Sequence, residues 1–282
     1  MEVIRSIRKM QKTAMSAKLS GKKIGFVPTM GALHDGHLSL VRSARKDSDI
    51  VVVSVFVNPI QFSANEDLSV YPRDIRHDRQ LLIKEKVDYL FMPDVSEMYP
   101  PDFSTDIRED KLSTALCGKY RPGHFRGVCT VVAKLFNIVL PDTAYFGKKD
   151  YQQAAVIKRM TLDLGYNIKI KTVPIVREPD GLAMSSRNVY LSEDERRTAA
   201  RIYEILKAAR AEVKCGVRKS SDLKLFISEK FVLYNIKTQY IEVCSVTDLS
   251  PIVEITDKAV ILVAVFVGKT RLIDNLEINI LQ

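Results

Sequence analysis

A chain of 282 residues with 46% hydrophobic side chains is long enough for about two domains with cores of their own. It holds no apolar stretch near the roughly 18 to 20 residues of a membrane helix, and Met1-Glu2-Val3-Ile4-Arg5-Ser6-Ile7-Arg8-Lys9 lacks the apolar core and cleavage site of an export signal, so a soluble, cytoplasmic protein with no membrane partner is expected. The net charge of +9 comes from 43 basic and 34 acidic residues spread along the chain, which suits small anionic substrates in a positive cleft; with no Lys/Arg block and no RNA-type aromatic signature, no nucleic-acid partner is expected.

Residues 6–19 read as a helix ended by Gly21, and 23–28 as a strand. A turn bearing His34 and His37 follows, then a helix over about 36–47, from the spacing of Leu38, Val41 and Ala44. The run Ile50 to Val57 is almost wholly apolar and β-branched. A strand of that kind is buried on both faces, which points to a parallel sheet covered by helices. Asn58-Pro59 stops it. A helix at 74–87, a short strand at 89–92, a helix at about 128–139, a strand at 143–146, a helix at 151–163 and a strand at 167–175 complete a doubly wound, Rossmann-like α/β domain over 1–176.

The pattern changes at Val176-Arg177-Glu178-Pro179-Asp180-Gly181, whose Pro and Gly mark a turn or hinge. Helices at about 192–213 and 221–234 precede strands at 239–245, 259–267 and about 270–274, a smaller α+β domain over 177–282. Ser192-Glu193-Asp194-Glu195 has the form of a capping box. The four cysteines, Cys117, Cys129, Cys215 and Cys244, include no Cys-x-x-Cys pair. Buried free thiols are expected, and no metal site of cysteine type.

Four polar loops stand out. Thr29-Met30-Gly31-Ala32-Leu33-His34-Asp35-Gly36-His37 lies where a strand ends and a helix opens. A helix N-terminus offers backbone N–H groups and a positive dipole end, a natural seat for phosphate, and histidines three apart are neighbours there. Val57 to Phe62, with Gln61, follows the next strand. Gly147-Lys148-Lys149-Asp150-Tyr151-Gln152-Gln153 follows the strand at 143–146, and its glycine and lysines suit phosphate. Met184-Ser185-Ser186-Arg187-Asn188 offers two hydroxyls and a guanidinium, the parts of a phosphate clamp. Singly, each has a plain structural reading: Gln61 as a turn cap, Lys149 as a solvated helix residue, Ser185-Ser186 as an N-terminal turn. Ligands of doubly wound sheets sit beyond the carboxyl ends of the strands, and the four loops are expected to converge on that rim. No P-loop, nucleophile elbow or dinucleotide fingerprint occurs. With no activated nucleophile in view, catalysis by positioning and charge neutralisation remains, as suits transfer at phosphorus.

His34-Asp35-Gly36-His37 resembles the His-x-Gly-His signature of the nucleotidyltransferase and class I aminoacyl-tRNA synthetase superfamily, and Met184-Ser185-Ser186-Arg187 its second, Lys-Met-Ser-Lys-Ser-type loop. Pro28 to His37, Phe56-Val57-Asn58-Pro59 with Gln61-Phe62, Tyr71-Pro72-Arg73-Asp74, Arg121-Pro122-Gly123-His124-Phe125, Tyr145 to Gln153, Asp180 to Asn188 and Arg271-Leu272-Ile273-Asp274-Asn275 are together similar to the pantoate–β-alanine ligase family, in family order over nearly the whole chain.

The resemblance implies ATP-dependent joining of pantoate to β-alanine with Mg²⁺, through pantoyl adenylate, in a homodimer formed through the first domain. It implies that Met30, Gly31, Ala32, Leu33, His34, Asp35, Gly36 and His37 hold ATP phosphates, with His34, His37 and Lys149 catalytic and His37 the usual proton donor. Gly147, Lys148, Lys149 and Asp150 would serve ribose and phosphates, and the Val176 backbone adenine. Met184, Ser185, Ser186 and Arg187 would close over the triphosphate. Gln61 and Gln153 would take pantoate, and Gln61 also β-alanine. No protein metal ligand is assigned. Cys117 departs from the family, where many relatives carry glutamate before Gly118, and weakens any case for an acidic group there. Two other readings remain on the residues alone. One is a nucleotidylyltransferase using the same His turn on a phosphate-bearing acceptor; the other is a basic RNA-binding protein derived from a synthetase core.

Overall fold

The structure, a computed structural model, describes residues 1–63, 68–69 and 71–280. The remaining few residues of the expected domain ranges lie outside it. The chain divides into two compact units, Met1–Lys148 with Gln152–Pro174, and Lys149–Tyr151 with Ile175–Gln282.

In the first unit the elements run β1 (Glu2–Ile4), α1 (Ile7–Leu19), β2 (Ile24–Thr29), α2 (Asp35–Asp47), β3 (Ile50–Val55), α3 (Ile75–Lys84), β4 (Tyr89–Phe91), α4 (Val95–Met98), α5 (Cys117–Tyr120), α6 (His124–Val139), β5 (Thr143–Gly147), α7 (Tyr151–Asp163) and β6 (Lys169–Val173). Tyr151, the first residue of α7, groups with the second unit. The six strands form one sheet in the order β1-β4-β3-β2-β5-β6, parallel at every pairing. Val51, Val52 and Val53 of β3 are fully buried, as the apolar run requires of a strand covered on both faces. Each such side chain contributes about 1.5–3 kcal/mol by leaving water.

From β2 the chain moves to β3 on one side and returns to β5 on the other. The carboxyl ends of β2 and β5 therefore flank the point where the strand order reverses, the place such sheets reserve for ligands. The His-bearing turn leaves the end of β2, and Lys148 the end of β5.

The second unit contains α8 (Glu193–Lys214), α9 (Ser220–Leu233), β7 (Lys237–Ser245), β8 (Lys258–Val267) and β9 (Thr270–Asn279). The strands form an antiparallel meander, β7-β8-β9. Leu206, Leu223, Ile227 and Phe231 of the helices pack with Val243, Ile261, Val263 and Leu272 of the sheet. The Ser192 and Glu195 side chains each accept from the other's backbone N–H, the full capping box, at the start of α8.

Several expectations need correction. β1 has no counterpart in the sequence pattern: three residues are too few to show alternation, and pairing with β4 alone defines them. β9 runs to Asn279 instead of ending near 274, because Asp274 and Asn275, which read as turn residues, are buried inside the strand. Cys117, Cys129 and Cys244 are buried free thiols, but Cys215 is exposed, since it caps the solvent end of α8. Burial pushes the Cys129 and Cys244 thiols up to about 12.

Candidate active site

In the first unit the His turn is bent by Gly31 and Ala32, both at positive φ. A buried carboxylate holds it there. Asp78, 1% exposed on α3, accepts from Ala32 N at 3.0 Å and Leu33 N at 2.7 Å, one to each oxygen. Burial raises the Asp78 carboxyl, and these two N–H groups pull against that rise. Gly31 N donates to Thr29 Oγ1, which in turn donates to Ser54 O on β3. The turn is thus tied to both neighbouring elements.

His34 caps α2 and His37 is its third residue. His34 Nδ1 accepts from Gly36 N, and His37 Nδ1 accepts from His34 N. An accepting Nδ1 leaves the proton of a neutral imidazole on Nε2. The two rings lie 4.1 Å apart between centroids. The sequence reading of the helix end as a row of open N–H groups changes accordingly. The N–H groups of Gly31, Ala32, Leu33, His34 and Gly36 all bond within the chain. The turn thus places two imidazoles, each with its Nδ1 accepting a backbone N–H, at the positive end of a helix dipole.

Gln61 ends a short 3-10 turn, Pro59–Gln61, after β3 and is buried. Its Nε2 donates to Met30 Sδ at 3.0 Å, so the His turn and this amide meet. Asn58 Nδ2 donates to Gln61 Oε1 and to Gly127 O, and Tyr99 Oη donates to Asn58 Oδ1. His124 Nδ1 donates to Gln61 O at 2.9 Å, while its Nε2 accepts from Arg121 Nη1 at 3.0 Å; arginine donates only, which sets the roles. Gly127 on α6 lets the loop come close: a Cβ there would lie 2.5 Å from Ile60 O and 2.6 Å from Gln61 Cα. Gln61 therefore has a fixed amide orientation, set by Asn58 at its Oε1 and Met30 at its Nε2, with Asn58 itself held by Tyr99 and the Gly127 carbonyl.

Gly147 and Lys148 lie half-buried at the end of β5. Gln153 is half-buried in the first turn of α7. Its neighbour Gln152 is buried and committed to Leu112 O, Ala115 O and Cys117 N, so of the two glutamines the structure uses Gln152 as internal scaffold.

In the second unit, Lys149 Nζ lies 3.7 Å from Asp150 Oδ1. Val176 O accepts from Met184 N at 3.0 Å, and Arg177 bridges to Ala183. This narrow hairpin joins Val176 directly to the Met184-Ser185-Ser186-Arg187 loop. Ser185 caps the 3-10 turn Ser186–Tyr190 by accepting from Arg187 N. Among the described residues there is no group of three or more His, Cys, Asp or Glu placed to hold a metal ion. Mg²⁺ needs no such cage when it arrives on nucleotide phosphates, where phosphate and water oxygens fill most of its octahedron.

Asp78 and Tyr99 do not stand out in the sequence, and the Gly147 to Gln153 loop gives no sign that Gln152 is turned inward as scaffold. In the sequence Asp78 lies unremarked within the helix expected at 74–87. The signal that could have found Asp78 is its spacing, four before the buried Leu82, which puts it on the inward face of α3.

The six-stranded parallel sheet, with a His-x-Gly-His turn at its switch point, has the form of a nucleotidyltransferase-type α/β protein. The pantoate–β-alanine ligase family matches residues 2–277. The chain is 54% identical over 278 residues to the pantothenate synthetase of Thermosipho melanesiensis, covering 98% of this chain and 99% of that one. It is 54% identical over 276 residues to that of Thermotoga neapolitana, with the same coverage. Among solved structures, the pantothenate synthetase of Thermus thermophilus superposes with a TM-score of 0.92 at 43% identity, over 98% of this chain and 99% of that one. The Francisella tularensis pantoate–β-alanine ligase, complexed with β-γ ATP and β-alanine, gives 0.82 at 38% identity, over 98% and 97%. The chain belongs to the pantoate–β-alanine ligase family and is an enzyme of that family.

Proposed function

We propose that the enzyme joins (R)-pantoate to β-alanine in two steps, forming pantothenate, AMP and pyrophosphate. In the first, a pantoate carboxylate oxygen attacks the α-phosphorus of ATP; the bond to the bridging oxygen breaks and pyrophosphate leaves. In the second, the β-alanine amine attacks the acyl carbon of pantoyl adenylate, loses a proton, and AMP leaves. The observation that carries this reading is the junction of Met30 with Gln61. It sets a fixed amide, suited to a hydroxy acid, beside a turn suited to phosphate.

His34 and His37 donate from Nε2 to phosphate oxygens, and charge grows on those oxygens as pyrophosphate departs, where preorganised donors act most. Lys149 adds a point charge. Gly147, Lys148 and Asp150 serve ribose and phosphates, and the Val176 backbone serves adenine. Met184, Ser185, Ser186 and Arg187 add hydroxyls and a guanidinium for the triphosphate. Gln61 and Gln153 hold pantoate, and Gln61 also meets β-alanine. Mg²⁺, bound with the nucleotide, would supply further charge neutralisation. The complex of the Francisella relative with β-γ ATP and β-alanine supports the choice of substrates. A homodimer and a cytoplasmic setting belong to the same reading.

Product analysis tests it. Incubation with ATP, Mg²⁺, pantoate and β-alanine should give equimolar AMP, pyrophosphate and amide. ADP and phosphate would indicate acyl-phosphate chemistry and overturn the reading. Adenylyl transfer to a phosphomonoester, with no need of pantoate, would favour the nucleotidylyltransferase alternative. Sedimentation would report the dimer.

A further inference from the structure

Among the polar side chains of the second unit that the mechanism above leaves unused, Asp274 and Asn275 are adjacent on β9 and only 5% and 4% exposed. Successive strand residues point to opposite faces of a sheet. Both are tied to loops on either side of the strand. Asp274 lies on the face with Leu272, which packs with α8 and α9. It receives Arg177 in a two-pronged pair, Nη1 to Oδ2 at 2.7 Å and Nη2 to Oδ1 at 2.9 Å. The same guanidinium donates to Gly181 O and stacks on Tyr203, 3.5 Å from Cζ to ring centroid. Arg177 is the residue that bridges to Ala183, next to the Met184 N to Val176 O bond. Asp274 therefore fixes the hairpin that carries Val176 at one edge and leads into Met184-Ser185-Ser186-Arg187 at the other.

Asn275 faces the other way. Its Nδ2 donates to Lys149 O at 3.0 Å, and its backbone N–H donates to Asp274 Oδ1. Two residues on, and on the same face, Glu277 accepts from Tyr151 Oη at 3.2 Å. These two contacts hold the Lys149–Tyr151 segment to β9. A β-strand is a rigid mount; a loop residue bonded to it inherits that rigidity.

We propose that Asp274 and Asn275 are positioning residues for ATP, a single dipeptide that sets two nucleotide-facing loops, one through Arg177 and one through the Lys149 carbonyl. Neither side chain touches substrate in this scheme. The inference rests on the reading that Lys149 and the Val176–Arg187 segment serve ATP.

The test uses the intact enzyme with Asn275→Ala, Asn275→Asp and Asp274→Asn. Asn275→Asp keeps the size but presents a second acceptor to an acceptor. In all three, KM for ATP should rise and pyrophosphate release slow by on the order of 10-fold, the scale of one lost buried hydrogen bond. KM for pantoate, and amide formation from supplied pantoyl adenylate, should stay within about twofold, a selectivity that general loosening of the fold would not produce. Combining Asn275→Ala with Lys149→Ala should add little to Lys149→Ala alone, because the anchor acts through that loop. Multiplying effects, equal losses for both substrates, or loss of folding in all three variants would overturn the positioning role. If Lys149→Ala is silent while Asn275→Ala remains selective for ATP, the assignment of Lys149 falls and the anchoring stands. If Lys149→Ala is impaired and Asn275→Ala is silent, the anchoring falls and Lys149 stands.

Discussion

Asp78→Asn isolates the support of the His turn from the turn itself. The parent carboxylate offers one oxygen to Ala32 N and one to Leu33 N. Asparagine offers only one, and its NH2 must face the other N–H. An unpaired buried donor costs about 1–3 kcal/mol, so the turn should shift to escape it. If that energy is withdrawn from the transition state, pyrophosphate release slows by about 5- to 150-fold. Amide formation from supplied pantoyl adenylate should change little. Stability carries a second signature. Burial raises the Asp78 carboxyl above its ordinary value of 3.8. In the window between 3.8 and the raised value, the folded chain binds a proton that the unfolded chain has lost. Parent stability therefore falls as pH rises through that window. Asp78→Asn has no such dependence, so its stability relative to the parent should improve with pH across the same window. Rapid quench and urea unfolding at several acidic pH values read both effects. Unchanged pyrophosphate release, or equal slowing of both half-reactions, would refute the argument.

Gln61→Ala should raise KM for pantoate far more than KM for ATP, by roughly the 1–3 kcal/mol of buried partners left unpaired; steady-state kinetics with each substrate varied would show it. Gly127→Ala should do the same from a distance, because its Cβ would press on the backbone of Ile60 and Gln61, and its melting temperature should fall as well. His37→Ala and Lys149→Ala should each slow adenylate formation by about 10²-fold or more and leave the second half-reaction much less affected in single-turnover assays. Native-state thiol titration should modify Cys215 and spare Cys117, Cys129 and Cys244, which are buried; rapid reaction of any other cysteine would contradict the packing.

The doubly wound sheet is legible because its strands advertise themselves. Ile50 to Val55 is almost wholly apolar, without alternation, and Leu38, Val41 and Ala44 recur at helical spacing. The pattern starts α6 near 128, four residues late, since Gly123 and His124 look like loop. The His turn falls at the end of β2 in sequence and structure alike, but how it is held is not visible in the sequence. Its Ala32 and Leu33 N–H groups are satisfied by Asp78, 46 and 45 positions away in sequence, and local pattern carries no record of such a partner. Asp274-Asn275 misleads in the opposite sense. Local chemistry favours a turn there, and tertiary bonds to Arg177 and Lys149 override it.

The central claim is that ATP is opened at its α-phosphorus by pantoate before β-alanine takes part. Exchange of labelled pyrophosphate into ATP tests it most directly. With pantoate present and β-alanine absent, label should enter ATP at a rate that depends on pantoate. Exchange that requires β-alanine, or proceeds without pantoate, would contradict the account.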